Sequence, residues 1–139
     1  MLGKHAKYEI VEAIRRAEES TRGEIRVHVR NKSSPDPMKE ARKVFRRLGM
    51  HRTTEHNGVL IFVALKSQTF VIFGDEAMHQ KVGDLFWNAT RDKMKGYFEK
   101  DDMVGGIIAG VQSVGEKLKQ HFPAETGNKN ELSDGVSEG

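Results

Sequence analysis

Two adjacent apolar runs dominate the hydrophobic pattern of this chain. Residues 59–65 are apolar throughout, and residues 69–73 form a second run rich in β-branched and aromatic side chains. Runs of this length and composition are typical of strands that are buried on both faces. Because only residues 66–68 separate the two runs, the pattern predicts an antiparallel hairpin.

A different pattern marks an earlier strand. Between residues 24 and 29, the apolar side chains of Ile25, Val27 and Val29 alternate with polar ones. Such alternation predicts a strand with one buried face and one polar face, as at the edge of a sheet or under partial cover. His28 falls on the polar face, where we expect an isolated histidine.

Helical periodicity accounts for most of the remaining chain. Apolar residues recur every three to four positions in about residues 5–20, 37–48, 78–98 and 103–121. The third segment shifts phase near Asn88, and the pattern leaves open whether it is one helix or two. In the fourth segment Gly106 and Gly110 lie four residues apart. Because glycine destabilises a helix by about 1 kcal/mol relative to alanine, we expect a close backbone approach at these two glycines.

The predicted order of elements is α-β-α-β-β-α-α. The first strand, the second helix and the second strand form a βαβ unit, which predicts two parallel strands joined by a right-handed crossover. Together with the hairpin, this order predicts an α/β fold: a three-layer α/β/α sandwich with a small mixed sheet and helices on both faces. We assign residues 1–122 to this domain and residues 123–139 to a polar, mobile tail.

Composition narrows the possible classes of protein. A chain of 139 residues with 37% apolar and 31% charged residues is expected to form one soluble domain. It has no cysteine, which excludes disulfides, zinc–thiolate sites and thiol nucleophiles. No segment is apolar enough to span a membrane or to act as a leader, so we expect a cytoplasmic protein.

The net charge of +3 is a mild basic bias that is compatible with anionic partners. Four of the basic residues share the polar face of the second helix: Lys39, Arg42, Lys43 and Arg46. Such a face is typically the solvated side of an amphipathic helix, and no aromatic residues lie between these cations to stack on bases. We therefore expect no nucleic-acid partner. For a protein partner, this face and the surface around Gly106 and Gly110 are the candidates.

The predicted topology gathers polar residues at one edge of the sheet. The starts of the first and second strands and the end of the third strand meet there, and they carry Glu24, Asn57, Asp75 and Glu76. Hard cations such as calcium prefer carboxylate and carbonyl oxygens as ligands. We therefore predict a divalent-cation site at this edge. The alternative is that Asp75 and Glu76 only cap the following helix and that Glu24 is a solvated strand end.

Other candidate groups lie elsewhere in the chain. Asp101 and Asp102 form a second, weaker candidate cluster for a metal ion. The opposite edge of the sheet, with residues 33–34 and the start of the second helix, is a candidate anion site, because parallel α/β sheets usually bind ligands there. His51 and His56 are five residues apart in a loop and are expected to be exposed.

Known catalytic motifs are missing from the sequence. The chain contains no GxxxxGK[ST] phosphate-binding loop, no GxGxxG fingerprint, no GxSxG elbow and no HExxH metal pair. Hydrolysis of a phosphate ester would therefore need a metal ion, held by carboxylates, to supply the nucleophile and to stabilise charge. A metal-dependent phosphatase with unassigned catalytic residues thus stays an alternative function for the same edge.

A series of short motifs in this chain resembles the TPM domain family, which is named for a thylakoid-lumen photosystem-repair protein and its relatives. The resemblance covers about residues 5–122 and rests on residues 13–29, 41–49, 51–61, 72–76, 86–87 and 105–110. The family's Thr-x-Gly-Glu motif matches residues 21–24, and its Gly-Asp/Glu turn matches residues 74–76. Residues 130–134 resemble the tail of single-domain bacterial members.

The resemblance implies an α/β/α sandwich and the binding of divalent cations, chiefly calcium. It also implies a possible acid phosphatase, since that activity is ascribed to the plant member, whereas many bacterial members have no assigned function. Many members are exported or anchored in a membrane, which contrasts with the cytoplasmic location that we expect here. Three hypotheses result: a calcium- or magnesium-binding module, a metal-dependent acid phosphatase, and a protein-interaction domain.

Overall fold

The computed structural model describes residues 2–125 and 135–139. Within these residues the chain forms five α-helices and four strands. The helices are α1 (Lys4–Glu18), α2 (Pro37–Arg47), α3 (Glu76–Val82), α4 (Asn88–Glu99) and α5 (Met103–His121). The strands are β1 (Glu24–Arg30), β2 (Gly58–Ala64), β3 (Thr69–Gly74) and β4 (Ser137–Glu138). A 3₁₀ turn at Met50–Arg52 precedes β2.

The four strands form one mixed sheet in the order β3-β2-β1-β4. β1 and β2 are parallel, and β2 and β3 are antiparallel, as the βαβ unit and the hairpin predict. All seven residues of β2 are buried, which explains why the hydrophobic run in the sequence is continuous. Fully burying each large apolar side chain of this run contributes about 1.5–3 kcal/mol.

Helices cover both faces of the sheet, which confirms the predicted sandwich. On one face, α1, α4 and α5 pack on the odd-numbered side chains of β1 and β2, and Ile14, Met94 and Val111 are among the helix residues of this core. On the other face, Val44 and Phe45 of α2 pack in the cluster that contains Leu60 and Phe62 of β2.

β1 lies inside the sheet, and the expectation of an edge strand is wrong. Its outer side pairs in parallel with β4, with His28 opposite Ser137 and Val29 opposite Glu138. His28 is only 1% exposed, so it is not an isolated histidine on a polar face. Residues 137 and 138, which we expected in a mobile tail, are thus part of the sheet. Residues 126–134, which include the motif at 130–134, lie outside the described residues.

The segment that the sequence left open contains two helices. α3 ends at Val82, and Gly83 follows with φ of +84°, a conformation that glycine adopts more easily than other residues. The buried Trp87 then precedes α4, which begins at Asn88. The phase shift in the apolar pattern therefore marks a break between two helices.

Gly106 and Gly110 lie at the contact between α4 and α5. A Cβ atom on Gly110 would be 2.5 Å from Met94 Sδ, and one on Gly106 would overlap the ring of Phe98. The predicted close approach is therefore confirmed. Since both glycines are buried under α4, the hypothesis that their surface binds another protein is wrong.

Candidate functional site

The strand register brings three of the predicted ligands to one edge of the sheet. Glu24 is opposite Gly58 in the β1–β2 pair, and Val59 is opposite Gly74 in the β2–β3 pair. The Glu24 amide donates to the Asn57 carbonyl oxygen at 3.3 Å, and the Asp75 amide donates to the Gly58 carbonyl oxygen at 2.9 Å. We call the three residues Glu24, Asn57 and Asp75 the Glu24 edge.

All three residues of the Glu24 edge are removed from solvent. Glu24 is 2% exposed, Asn57 1% and Asp75 5%. The alternative that Glu24 is a solvated strand end is therefore wrong. Carboxylates are rarely buried to this extent unless they are paired or bind a metal ion, because removing their charge from water is costly. The Glu24 edge therefore brings two buried carboxylates and a buried amide to one place.

Of the two polar atoms in the Asn57 side chain, one has a hydrogen-bond partner among the described residues and the other has none. Its Nδ2 donates to the Arg22 carbonyl oxygen at 3.1 Å. Its Oδ1 is buried and has no hydrogen-bond partner among the described residues. A buried acceptor without a partner costs about 1–3 kcal/mol, and such atoms often mark a bound water or ion.

Asp75 caps α3, as the alternative interpretation of the sequence proposes. Its Oδ1 accepts a hydrogen bond from the Ala77 amide at 3.0 Å. Its Oδ2 lies 3.6 Å from Nδ1 of His56. Glu76 is exposed in the first turn of α3 and is not buried with the other three residues.

His56 lies at the same edge, and the sequence prediction did not include it among the cation ligands. The residue is indeed exposed, but its backbone has φ of +52°, which is uncommon for a residue other than glycine. Its position directly before Asn57 and the strand topology place it at this edge, whereas its spacing from His51 carries no such signal.

Arg22 organises the backbone next to Asn57, a role that no sequence motif indicates. Its guanidinium binds Glu55 through two hydrogen bonds and also donates to the Pro123 carbonyl oxygen at 2.6 Å. The hydrogen bond from Arg22 lowers the pKa of Glu55. Thr21 supports the same turn, since its hydroxyl donates to the Phe122 carbonyl oxygen at 2.5 Å and accepts from the Gly23 amide at 3.0 Å.

Asp101 and Asp102 lie at the opposite end of the sheet. Asp102 caps α5 by accepting from the Gly105 amide at 2.9 Å. Asp101 accepts from Nε2 of Gln68, in the β2–β3 turn, at 2.6 Å. Both carboxylates therefore have structural partners, and they are separated from the Glu24 edge by the length of β2.

At the candidate anion site, two carboxylates of the protein lie at the start of α2. At the start of α2, Asp36 accepts from the Lys39 amide at 3.2 Å, and Glu40 adds a second carboxylate in the first turn. Negative charge at a helix N-terminus disfavours a further anion there. The basic face of α2 is exposed, with Arg42 lying over the ring of Phe73.

Two further observations concern metal binding and membrane insertion. Among residues 2–125 and 135–139, no three His, Asp or Glu side chains gather closely enough to hold a metal ion by themselves. A cation at the Glu24 edge would therefore need amide, backbone and water oxygens as well. In the same described residues, no helix is both long and apolar enough to cross a membrane.

The chain is similar to proteins of known family and structure. Residues 1–117 match the family model of the TPM domain. The NMR structure of the BA42 protein from the psychrophilic bacterium Bizionia argentinensis superposes with a TM-score of 0.93 at 38% identity, over 100% of this chain and 96% of that one. No curated protein matches the sequence significantly.

Two more distant structures share the fold alone. The N-terminal domain of a P. gingivalis protein has a TM-score of 0.69 at 20% identity, over 87% of this chain and 78% of that one. The N-terminal domain of cg2496 from Corynebacterium glutamicum has a TM-score of 0.65 at 19% identity, over 85% and 74%.

Proposed function

Because the chain belongs to the TPM domain family, we propose that it binds a divalent cation, calcium before magnesium, at the Glu24 edge. One observation carries this proposal. Asn57 Oδ1 is a buried carbonyl oxygen without a hydrogen-bond partner among the described residues, and it lies between two strand ends that bear carboxylates.

The available atoms suit a hard cation. The Glu24 edge offers carboxylate oxygens from Glu24 and Asp75 and a carbonyl oxygen from Asn57, and calcium accepts oxygen ligands of both types. The chain has no cysteine, and the described residues hold no cluster of histidines, to favour a softer metal. The cation would supply positive charge to two buried carboxylates and a partner to the Asn57 oxygen.

The same atoms suggest modest affinity. Calcium takes six to eight oxygen ligands, and side chains of the Glu24 edge supply fewer. Asp75 Oδ1 is also engaged in capping α3. Backbone carbonyls and water would complete the coordination, so we expect a dissociation constant of about 10⁻⁴–10⁻³ M, as in other weak calcium sites.

A calcium titration of the ¹⁵N-labelled chain tests the proposal. Amide shifts are expected at residues 22–24, 57–58 and 74–76, and chelation should reverse them. Glu24→Gln and Asn57→Ala should each weaken binding about tenfold or more, since each removes a ligand. Asp101→Asn is the matched control, because it removes a carboxylate at the opposite end of the sheet and should leave the affinity unchanged.

Two results would overturn cation binding at this edge. One is the absence of shifts at about 10 mM calcium or magnesium, well above the weakest expected dissociation constant. The other is a set of shifts centred on residues 101–102 that is lost in Asp101→Asn. The amide spectrum without metal shows whether each variant is folded, so a loss of binding is not confused with unfolding.

The phosphatase alternative uses the same site. No contact among the described residues singles out a nucleophile or a general acid, and therefore cation binding alone is the function proposed. A protein partner for the exposed basic face of α2 also stays a prediction.

A further inference from the structure

β3 forms one edge of the sheet. In the strand order β3-β2-β1-β4, β2 lies on one side of β3, and no strand of residues 2–125 and 135–139 pairs with its other side. Such an edge presents a row of backbone N–H and C=O groups to which another extended chain can bind. Many proteins block the edge with charged residues, proline or a bulge. Residues 69–74 contain no charged residue and no proline, and their pairing with β2 is continuous.

The register of the hairpin determines which backbone groups of β3 point away from β2. The Asp75 amide donates to the Gly58 carbonyl oxygen at 2.9 Å, and the pairing continues without a shift to Thr69. Hydrogen-bonded and non-hydrogen-bonded positions alternate along an antiparallel pair. Residues 69, 71 and 73 therefore bond to β2. The groups that point away from β2 are the N–H and C=O of Phe70, Ile72 and Gly74, which we call the β3 edge groups.

Beside this edge, α2 presents a row of exposed cations. α2 lies over β3, because the ring centroids of Phe45 and Phe73 are 5.1 Å apart and the Arg42 guanidinium carbon is 5.9 Å from the centroid of the Phe73 ring. Lys39 and Arg46 are three and four residues from Arg42, so they lie on the same side of the helix. Lys39, Arg42 and Arg46 are exposed and form no ion pair with the described residues. We call these three residues the α2 cation row.

Carboxylates lie at the two ends of β3 rather than along it. Glu76 is exposed at the start of α3, after the end of the strand. Asp101 accepts a hydrogen bond from Gln68 Nε2, which precedes the start of the strand. On the face opposite α2, Phe70 is in edge-to-face contact with Phe98 of α4, with ring centroids 5.2 Å apart. A strand that binds at this edge therefore meets cations on one face and aromatic side chains on the other.

We propose that the free edge of β3 binds an acidic, extended segment of a partner protein, which adds a strand to the sheet. The backbone of the segment pairs with the β3 edge groups, as in other proteins that bind peptides by strand addition. Acidic side chains on one face of the segment meet the α2 cation row. This row extends over about 10 Å of the helix axis, and side chains on one face of a strand recur about every 6.7 Å. Two or three acidic residues at alternate positions therefore match it.

A second copy of this chain fits the same edge less well. Two β3 strands related by a twofold axis would pair antiparallel and join two sheets into one. Both α2 helices would then lie on the same face of the joined sheet, and their cation rows would face each other across the axis. Like charges in such an arrangement repel. Charge therefore favours an acidic partner over self-association, and the experiment distinguishes the two.

Hydrogen exchange of the full ¹⁵N-labelled chain tests the proposal, with a capped peptide of alternating glutamate and valine as the probe. A chelator is present, so that cation binding at the Glu24 edge does not contribute. Without peptide, the amides of residues 70, 72 and 74 should exchange with solvent faster than those of residues 71 and 73. With free peptide at ten times its dissociation constant, exchange at residues 70, 72 and 74 should slow about tenfold. Binding should weaken as salt is added.

Control peptides and control variants separate strand addition from charge attraction alone. The same peptide with N-methyl groups on the amides that face β3 keeps its charge but cannot pair, so it should not bind, and neither should a lysine–valine peptide. Arg42→Glu should weaken binding about tenfold or more, because it places a like charge beside the segment. Lys119→Glu makes the same change of charge at an exposed position of α5, on the other face of the sheet, and should leave the affinity unchanged. The amide spectrum shows whether each variant is folded.

The proposal is overturned if residues 70, 72 and 74 are already protected in the free chain, or if their exchange stays unchanged at millimolar peptide. It is also overturned if the N-methylated peptide protects them equally, or if Arg42→Glu and Lys119→Glu have the same effect on the affinity. Protection that grows with the concentration of the chain alone would identify a second copy as the occupant and would likewise exclude the acidic partner.

Discussion

Arg22 and Glu55 form a bidentate ion pair beside the Glu24 edge. Nε of Arg22 is 2.8 Å from one carboxylate oxygen of Glu55, and Nη2 is 3.0 Å from the other. The backbone carbonyl oxygen of Arg22 also accepts a hydrogen bond from Nδ2 of Asn57. A charge pair at the surface thus fixes the backbone that orients a buried amide in the candidate site.

Replacing Glu55 by glutamine should destabilise the chain slightly at neutral pH and not at all in acid. The hydrogen bond from Arg22 lowers the pKa of Glu55 in the folded state. The pair therefore contributes stability above the pKa of a free glutamate, about 4.3, and loses it as the pH falls through the lower folded value. Because Glu55 is 40% exposed, we expect a loss of about 0.5–1 kcal/mol at pH 7.

Urea unfolding of the wild type and of Glu55→Gln at several pH values measures this difference. Glu116→Gln is the control, since Glu116 is exposed on α5 and has no ion pair to any described residue. A difference for Glu55→Gln that persists unchanged at pH 2 would contradict the ion-pair explanation.

Gly106→Ala should destabilise the contact between α4 and α5. The added Cβ would overlap the ring of Phe98, and forcing extra volume into a packed contact costs about 1–3 kcal/mol. This outweighs the gain of about 1 kcal/mol from replacing glycine in a helix. Thermal or urea unfolding measures the change in the free energy of unfolding.

Gly96→Ala is the matched control for this prediction. Gly96 lies within α4, and a Cβ atom there would have no neighbour within 4 Å. The substitution should therefore be neutral or stabilising by up to about 1 kcal/mol. Equal effects at Gly96 and Gly106 would exclude the steric explanation.

The contributions of the Thr90 and Ser113 hydroxyl groups to the stability of the fold should be coupled. They are 2.5 Å apart between α4 and α5, and Thr90 is fully buried. Thr90→Val alone should cost about 1–3 kcal/mol, because it leaves the Ser113 hydroxyl buried without its partner. The double variant Thr90→Val with Ser113→Ala should cost less than the sum of the two single variants.

A double-mutant cycle in urea measures this coupling. Additive effects of the two substitutions would show that the hydrogen bond contributes nothing to stability beyond the separate side chains.

Much of the fold could be predicted from local patterns. The continuous run of β2 and the short link to β3 predicted the hairpin, and the helix between β1 and β2 predicted their parallel pairing. These predictions succeed because burial on a regular element repeats with the period of that element. The same reasoning placed Glu24, Asn57 and Asp75 at one edge, since strand direction fixes which ends meet.

The details of the site could not be predicted in this way. Periodicity gave no sign that Asn57 directs one atom to Arg22 and leaves another without a partner, or that His56 lies near Asp75. These arrangements depend on loop conformations, such as the left-handed backbone of His56, which no periodic pattern of the sequence describes.

The sequence by itself determined most of the secondary structure, the mixed pairing of β1, β2 and β3, and the edge at which carboxylates collect, because local periodicity and strand direction fix these features. Only the tertiary structure decided that β4 pairs with β1, that α4 covers the glycines of α5 and that His28 is buried. His28 and Ser137 are 109 positions apart in the sequence. A polar residue on a strand has the same local pattern whether water or a distant segment satisfies it, so only the folded chain distinguishes the two.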